Sequence, residues 1–505
     1  MMGAYKMTNE LESKFLTYVK KMMAYNEAIA VMAWDLRTGA PVKGMEQRSE
    51  VIGMLSEESF SLSVSEEMGE MLSQLDAQKD TLSPITKAVF EHVKKEFDKN
   101  KKIPKKEYAE YVVLTNKAEN AWPEAKKKGD FASFLPYLEK LVDYNRKFIN
   151  YLGYEKNPYD TLLDMYEPGM TVEVLDRVFT QVKEAIVPLI KQISEQPAMD
   201  TSYLNEFFSK EGQKQFSLDI LKQMGYDFDA GRLDETTHPF AIGINPGDVR
   251  VTTKYNENDF TSAVFGTIHE GGHALYEQNI SKDLVGTPLC SGTSMGIHES
   301  QSLFFENLVG RNLHFWKKNY ELFKSYTNGQ FDNVSVEEFY RAINQSKPSL
   351  IRIESDELTY PLHIIIRYEI EKGLFNGEIE AKDLETIWNE KYEQYLGVKP
   401  AHAGEGVLQD IHWAGGSFGY FPSYSLGLMY AAQFKNTMQK EIPNFDELLE
   451  EGNIAPIKEW LTTHVHQFGS MKKPLQIIKD ATGEELNPAY LIDYLEKKYK
   501  SIYNL

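Results

Sequence analysis

The stretch 261–278, TSAVFGTIHEGGHALYEQ, predicts the helix around which the rest of the fold is organised. Apolar residues surround two histidines, His269 and His273, that stand four positions apart. Side chains at this spacing lie one above the other on the same face of a helix. A single Zn²⁺ can therefore bind both imidazoles, with Glu270 beside the metal as a general base. Because so short a pattern also arises by chance, the rest of the sequence must provide further evidence for a metal site.

Two adjacent glycines separate the histidines of this predicted helix. Each costs about 1 kcal/mol relative to alanine in a helix interior. Either another element or the substrate approaches the helix closely at Gly271 and Gly272, or the helix is merely irregular there.

A third metal ligand is expected on another element. Structural zinc sites usually have four protein ligands, cysteines among them, and the chain has one cysteine, Cys290. A catalytic site has three ligands and leaves a position for water. Glu299 begins the next helical stretch, at 296–301, and is the predicted third ligand. An ordinary helix carboxylate is the alternative. With zinc present, hydroxide becomes available at neutral pH, and Glu270 would accept the proton and pass it to the leaving amine.

The remaining chain has mostly helical periodicity, so the predicted fold class is mostly α. One segment differs, because 240–244 and 249–253 are β-rich and turn residues lie between them. This hairpin is either a surface feature or a strand edge for an extended peptide. Without repeats or linkers, we expect a single domain over 1–505. In it 1–235 is mainly helical, 236–430 carries the hairpin and the catalytic motifs, and 431–505 is helical again.

Composition limits the possible partners and the compartment. Hydrophobic residues make up 42% and charged residues 26%, as in ordinary globular proteins. The net charge of −20 argues against nucleic acid and anionic membranes as partners. No stretch resembles a signal peptide or a membrane span, and the single cysteine suits a reducing compartment. These features predict a cytoplasmic protein.

A histidine and two tyrosines near position 420 are further catalytic candidates. A zinc peptidase needs hydrogen-bond donors aimed at the developing oxyanion. An imidazole or a phenol can serve, which makes His412, Tyr420 and Tyr424 candidates. With 29 tyrosines in the chain, packing is the alternative for either phenol.

Five motifs now point to one family. In chain order they are His238-Pro239-Phe240, Asp248-x-Arg250-x-Thr252, His269-Glu270-x-x-His273, His298-Glu299-Ser300-Gln301 and Gly406-x-x-Gln409-Asp410-x-His412-Trp413. The chain resembles the carboxypeptidase Taq family of zinc metallocarboxypeptidases. The resemblance implies a large helical body split by a deep substrate groove, as in angiotensin-converting enzyme and neurolysin, with a small antiparallel sheet beside the zinc site. It also implies a homodimer and one Zn²⁺ per chain, which Co²⁺ can replace.

The resemblance implies roles for individual residues. His269, His273 and Glu299 would be the zinc ligands and Glu270 the base, while His412 and either Tyr420 or Tyr424 would lie near the substrate carbonyl. An arginine binds a C-terminal carboxylate best. Arg352 is the first choice and Arg250 the second, with His238 also near the substrate. For Arg352 the alternative is an internal salt bridge with Glu354, Asp356 or Glu357. Asp248, Asp356 and Asp410 are expected to orient the metal-binding imidazoles or to cap turns.

The predicted function is therefore release of single residues from peptides with a free C-terminus. Two alternatives remain. An endo-oligopeptidase or dipeptidyl carboxypeptidase would use the same chemistry on the same scaffold. A helical binding protein would keep the motif without turnover.

Overall fold

The computed structural model describes the backbone of residues 2–505 and the side chains of residues 10–505. Helices form most of it, as predicted. Before the sheet they are α1 (Met2–Thr38), α2 (Met45–Ser63), α3 (Glu66–Asp76), α4 (Pro84–Lys102), α5 (Lys105–Lys128), α6 (Phe131–Leu152), α7 (Pro158–Tyr166), α8 (Val172–Ser194) and α9 (Lys210–Met224). After the sheet they are α10 (Phe260–Gln278), α11 (Met295–Leu303) with a π-helical turn (Phe304–Gly310), α12 (Leu313–Ser325), α13 (Val336–Ile343), α14 (Tyr360–Phe375), α15 (Leu384–Leu396), α16 (Pro422–Glu441), α17 (Phe445–Glu451), α18 (Ala455–His464), α19 (Pro474–Thr482) and α20 (Ala489–Tyr503).

The small sheet contains the predicted hairpin and one strand more. Strands β2 (Ala241–Asn245) and β3 (Asp248–Thr253) pair antiparallel, within one residue of the predicted positions. Strand β1 (Leu233–Glu235) pairs with β3 in parallel, so the sheet is mixed and the expectation of a purely antiparallel sheet is wrong. A three-residue strand is too short to show a period-2 pattern in the sequence.

The sheet lies directly against the helix that carries the two histidines. The hydroxyl of Thr267 on α10 donates to that of Thr253 on β3 at 3.1 Å. Gly243 on β2 faces Glu277 near the end of α10, where a Cβ atom would come within 2.6 Å of the carboxylate. The hairpin therefore flanks α10 along its length, as expected for a strand beside the metal helix.

Two apolar cores are buried. The larger one includes residues from α5 through α20, and the smaller one joins α1, α3 and α4 to the segment before α11. Phe15, Phe90 and Leu284 are representative of the smaller core. The single-domain organisation stays a prediction.

The paired glycines of α10 lie at two close helix contacts. A Cβ on Gly272 would overlap the backbone oxygen of Gln301 on α11. A Cβ on Gly271 would lie 2.7 Å from Leu221 on α9. Helix α11 also meets α16 closely, because a Cβ on Gly427 of α16 would lie 2.8 Å from the Cβ of Glu299. Close approach of other elements therefore explains both glycines of α10. It also brings α11 into close contact with both α10 and α16.

Replacing Gly272 by alanine tests this close contact. The added methyl meets backbone atoms, which cannot move aside as a flexible side chain can. We expect a loss of about 1–3 kcal/mol in the free energy of unfolding, despite the better helix propensity of alanine. Gly266 is the matched control, because it lies on the same helix with nothing within 4 Å of an added Cβ. Gly266→Ala should raise stability by up to about 1 kcal/mol. Urea unfolding of both variants measures this, and a Gly272→Ala protein as stable as the control would contradict it.

Candidate active site

Three side chains from α10 and α11 converge on one point. The Nε2 atoms of His269 and His273 lie 3.7 Å and 3.5 Å from the same oxygen, Oε2 of Glu299. All three potential ligand atoms lie within 4.8 Å of one another. Four-coordinate zinc with bonds of about 2.0–2.2 Å separates its ligand atoms by about 3.3–3.6 Å. The donor set and its spacing therefore fit a zinc ion with three protein ligands and one open position.

The electrostatics of this point favour a cation. Burial lowers the pKa of His269, but the charges of Glu299 and Glu306 outweigh burial and raise the pKa to about 10. Burial raises the pKa of Glu299, and the two neighbouring imidazoles more than reverse that, to about 2. The carboxylates of Glu299 and Glu306 lie on both sides of the His269 imidazole, so a positive charge is stabilised there. A divalent metal supplies that charge.

Each imidazole has an orienting partner that the sequence analysis missed. Nδ1 of His269 lies 2.9 Å from Oε2 of Glu306, a residue of the π-helical turn whose other oxygen accepts from Arg311 at 3.3 Å. Nδ1 of His273 lies 2.7 Å from Nδ1 of His298. Both contacts leave the Nε2 atoms facing Glu299.

None of Asp248, Asp356 and Asp410 contacts a metal-binding imidazole, so the expectation that they orient the imidazoles is wrong. Asp356 instead fits the alternative of capping a turn, because it accepts the backbone N–H groups of Leu358 and Thr359. Each carboxylate is held by donors elsewhere. Asp248 pairs with Arg250, Asp356 accepts from Ser346 and Thr359, and Asp410 pairs with Arg352 and Arg367. A single sequence does not reveal which of several acidic residues comes near a metal ligand.

Glu270 is buried directly beside the metal ligands on α10. It is 9% exposed. Burial raises its pKa to about 7, although the charge of His269 opposes the shift. A carboxyl group with a pKa near neutrality can both accept and return a proton, as a general base requires.

His412, Tyr420 and Tyr424 form one cluster near this point. Nε2 of His412 lies 3.1 Å from the Tyr424 hydroxyl, and the Tyr420 ring lies 5.4 Å from the His412 ring. Burial lowers the pKa of His412 to about 4, so the imidazole is neutral. Burial also raises the pKa of both tyrosines, and the charge of Glu299 adds to each shift. The cluster therefore lies within electrostatic range of the metal ligands.

Arg352 lies next to this cluster and is 6% exposed. Its Nη2 binds Asp410 at 2.8 Å, its Nη1 donates to Tyr360 at 3.0 Å, and its Cζ lies 4.8 Å from the Tyr424 ring centroid. The internal ion pair is thus with Asp410 and not with the acidic residues adjacent in sequence. Arg367 binds the same carboxylate at 2.7 Å. Two guanidinium groups on one carboxylate leave this buried group with an excess positive charge.

Neither Arg250 nor His238 contacts Arg352 or the tyrosine cluster within the described residues. Arg250 binds both oxygens of Asp248 at 2.7 Å, and its Cζ lies 5.5 Å from the Trp34 ring of α1. His238 is exposed in the loop between β1 and β2. Arg352 and Arg250, the two candidates for binding the substrate carboxylate, therefore have different surroundings.

Comparison with known proteins identifies the family of the chain. Residues 14–499 match the model of the family described as Carboxypeptidase Taq (M32) metallopeptidase. The chain belongs to this family. It is 57% identical to Carboxypeptidase 1 of Bacillus subtilis, over 98% of this chain and 99% of that protein. It is 39% identical to Thermostable carboxypeptidase 1 of Thermus thermophilus, over 98% of this chain and 100% of the relative. The crystal structure of M32 carboxypeptidase from Deinococcus radiodurans R1 matches with a TM-score of 0.95 at 33% identity, covering 98% of this chain and 100% of that one.

The predicted family, mostly helical fold and enzyme class are thereby confirmed. The protein is a metallocarboxypeptidase, a peptide hydrolase that requires a divalent metal. Within residues 2–505, no helix is long and apolar enough to cross a membrane.

In this M32 metallopeptidase a buried carboxyl group fixes the loop that carries His412. Glu371 on α14 accepts from the indole of Trp413 at 2.7 Å, from the backbone N–H of Gly419 at 2.8 Å, and from the hydroxyl of Tyr159. The loop is thus attached to α14 on both sides of the segment that follows His412. No sequence pattern indicates this contact, because Glu371 lies in a helix far from the motif.

Glu371 should make stability depend on pH. Burial raises its pKa to about 7, from 4.5, although three hydrogen bonds oppose the shift. The folded state therefore binds this proton more tightly than the unfolded chain, so the group favours folding increasingly as the pH falls through about 7. The stability advantage of the parent over Glu371→Gln, measured as a difference in the free energy of unfolding, should increase as the pH is lowered from about 8 to about 5. The increase should be at most about 3 kcal/mol.

Glu369, on the same helix, is the control for this measurement. Burial alone would raise its pKa, but hydrogen bonds from Lys183 and Lys391 lower it below the ordinary value. Its contribution should therefore stay constant from about pH 8 to about pH 5.5 and fall only below that. Urea unfolding at each pH gives both curves. A flat difference for Glu371→Gln would show that the carboxyl group is already ionised throughout.

Proposed function

We propose that this metallocarboxypeptidase releases single residues from peptides with a free C-terminus, using one Zn²⁺ per chain bound by His269, His273 and Glu299. The observation that carries the proposal is the convergence of two Nε2 atoms on one Glu299 oxygen, with the Glu270 carboxyl beside them. Co²⁺ should replace zinc, because neighbouring divalent metals accept the same nitrogen and oxygen ligands.

The chain's own residues perform the proton transfers. Zinc bound at the three ligands would polarise the last peptide carbonyl and activate the attacking water. Glu270 removes the proton from that water as it attacks the carbonyl carbon. It then returns the proton to the leaving amine when the C–N bond breaks. The water oxygen ends in the new carboxylate, and the released residue keeps its free carboxyl group.

Tyr424, rather than Tyr420, is proposed to stabilise the oxyanion. The neutral His412 can donate its Nε2–H to the Tyr424 oxygen, which leaves the Tyr424 hydroxyl hydrogen for the substrate carbonyl oxygen. The Tyr420 hydroxyl has only a long contact to the sulfur of Met295, at 4.0 Å, and interacts with the neighbouring Tyr424, whose ring centroid lies 5.3 Å from its own. Tyr420 therefore supports the cluster by ring packing.

Arg352 is proposed to bind the C-terminal carboxylate of the substrate. A guanidinium has five N–H groups, and Asp410 and Tyr360 take three of them. In the described part of the chain the remaining two have no partner. The excess positive charge shared with Arg367 also favours an anion here. Arg250 is less suited, because Asp248 matches its charge one to one.

A peptide with a free C-terminus and its amidated twin distinguish the candidate activities. We expect stepwise loss of single residues from the free acid and at least about tenfold slower cleavage of the amide, since the amide lacks the carboxylate that Arg352 binds. Mass spectrometry of the products measures this. Equal cleavage of both at an internal bond would indicate an endo-oligopeptidase. Release of residue pairs would indicate a dipeptidyl carboxypeptidase. No cleavage of either peptide by zinc-loaded protein would favour a binding protein.

A homodimer and a cytoplasmic location are proposed as well. Helix α2 supports the dimer, because none of its residues is buried within the described part of one chain. It exposes Met54 (69%) and Phe60 (48%), an apolar surface that a second copy can cover. Sedimentation of the intact protein measures its mass, and a monomer at micromolar concentration would contradict the dimer. The single cysteine suits a reducing compartment.

A further inference from the structure

The second metal-binding histidine contacts another imidazole instead of a carboxylate. Nδ1 of His273 lies 2.7 Å from Nδ1 of His298. On its other side, Nε2 of His298 lies 2.7 Å from Oε1 of Glu277. Glu277, His298 and His273 therefore form a chain of hydrogen bonds that ends at the metal ligand.

The hydrogens in this chain can be assigned from chemistry alone. Two Nδ1 atoms at 2.7 Å must share one hydrogen, because two hydrogens would collide and none would leave two lone pairs facing each other. The Glu277 carboxylate accepts, so Nε2 of His298 carries a hydrogen. A metal at Nε2 of His273 needs the lone pair of that atom, so the ring's one hydrogen must be on Nδ1, and Nδ1 of His298 must accept it. The shared hydrogen thus belongs to Nδ1 of His273, whose Nε2 lone pair is left free for a metal.

We propose that Glu277 is a positioning residue that acts through His298 to hold His273 in the tautomer that binds the metal. The inference rests on the proposed metal site and extends it by two residues. It distinguishes the two ligands, because His269 contacts the carboxylate of Glu306 directly.

The surroundings leave the chain of hydrogen bonds no room to rearrange. Oε1 of Glu277 also accepts the backbone N–H of Gly292 at 2.9 Å. A Cβ on Gly292 would lie 2.5 Å from the His298 ring, and a Cβ on Gly243 would lie 2.6 Å from Oε2 of Glu277. Strand β2 and the loop before α11 thus enclose the carboxylate and the ring. Both glycines are needed for this close packing.

Zinc affinity, measured by competition with a chromophoric chelator, tests the proposal without relying on turnover. Glu277→Leu should weaken zinc binding by about 10–100-fold, as removal of an orienting partner of a metal ligand does. Glu277→Gln should bind zinc within about threefold of the parent. Its amide oxygen can accept from both His298 and Gly292, and the N–H of Gly292 holds it in that orientation.

A double-mutant cycle separates positioning from mere structural support. In His298→Asn the amide oxygen takes the position of Nδ1 and can accept from Nδ1 of His273 without help from Glu277. In that background, Glu277→Leu should change zinc affinity by less than about threefold. Glu306→Leu is the control, because it acts on His269 and should weaken binding by the same factor in both backgrounds.

Equal loss from Glu277→Leu in both backgrounds would overturn the proposal and leave Glu277 as structural support for the Gly292 loop. If His298→Asn does not fold, Glu277→Gln binding zinc as weakly as Glu277→Leu would overturn it. Failure of the parent protein to bind zinc would instead contradict the metal site itself.

Discussion

Glu270→Gln is expected to lower kcat by about 10²–10⁴-fold, the contribution of a well-placed general base. The substitution keeps the size of the side chain and removes its ability to accept a proton. The three converging ligand atoms belong to other residues, so the metal content should not change. Steady-state kinetics on a free-acid peptide and metal analysis of the same sample measure the two effects.

Glu299→Gln is the companion variant for this experiment. It should lose metal as well as turnover, because Glu299 supplies one of the three ligand atoms. The contrast between the two variants separates the base from the ligand. If Glu270→Gln retains turnover within tenfold of the parent, another group acts as the base.

Arg352→Met is expected to lower kcat/KM for free-acid peptides by about 10²–10⁴-fold. Two charge-assisted hydrogen bonds to a carboxylate contribute roughly 3–6 kcal/mol together, and 1.36 kcal/mol corresponds to a factor of ten. Asp410 keeps its ion pair with Arg367 in the variant, so no buried carboxylate is left without a partner. The preference for the free acid over the amidated peptide should therefore disappear while the fold is retained.

Arg250→Met is the matched control for Arg352→Met. Arg250 pairs with Asp248 beside Trp34. The variant should change kcat/KM by no more than a few-fold, with the discrimination between acid and amide intact. If Arg250→Met loses that discrimination instead, the substrate carboxylate binds at the hairpin and not at Arg352.

The features predicted well from the sequence are those with a fixed local geometry. The His269–His273 spacing predicts a shared face because the α-helix has a constant pitch. The turn residues between β2 and β3 place the hairpin within one residue. The third ligand, Glu299, comes from a second helix, so no period of apolar residues predicts it. Only the preceding His269–His273 motif makes it a candidate.

The orienting partners could not be predicted in the same way. Glu306 lies in a π-helical turn, and no α-helical or strand period in the sequence predicts such a turn. Glu277 belongs to the metal helix itself, but its role depends on His298 coming from another helix. Asp248, Asp356 and Asp410, which the sequence suggests for this role, bind other donors. Long-range pairing of charged groups is decided by packing, which a single sequence does not contain.

The close packing of α11 against α10 and α16 affects how the protein takes up its ion. Gly272 and Gly427 let α11 pack closely against α10 and α16, and Glu306 and His298 hold the two imidazoles, so the protein itself preorganises the ligands. Small domains that fold only with zinc, in contrast, unfold when a chelator removes the metal. This scaffold should survive demetallation with its helices intact and regain activity on simple readdition, so that cellular supply of the ion can regulate turnover without refolding.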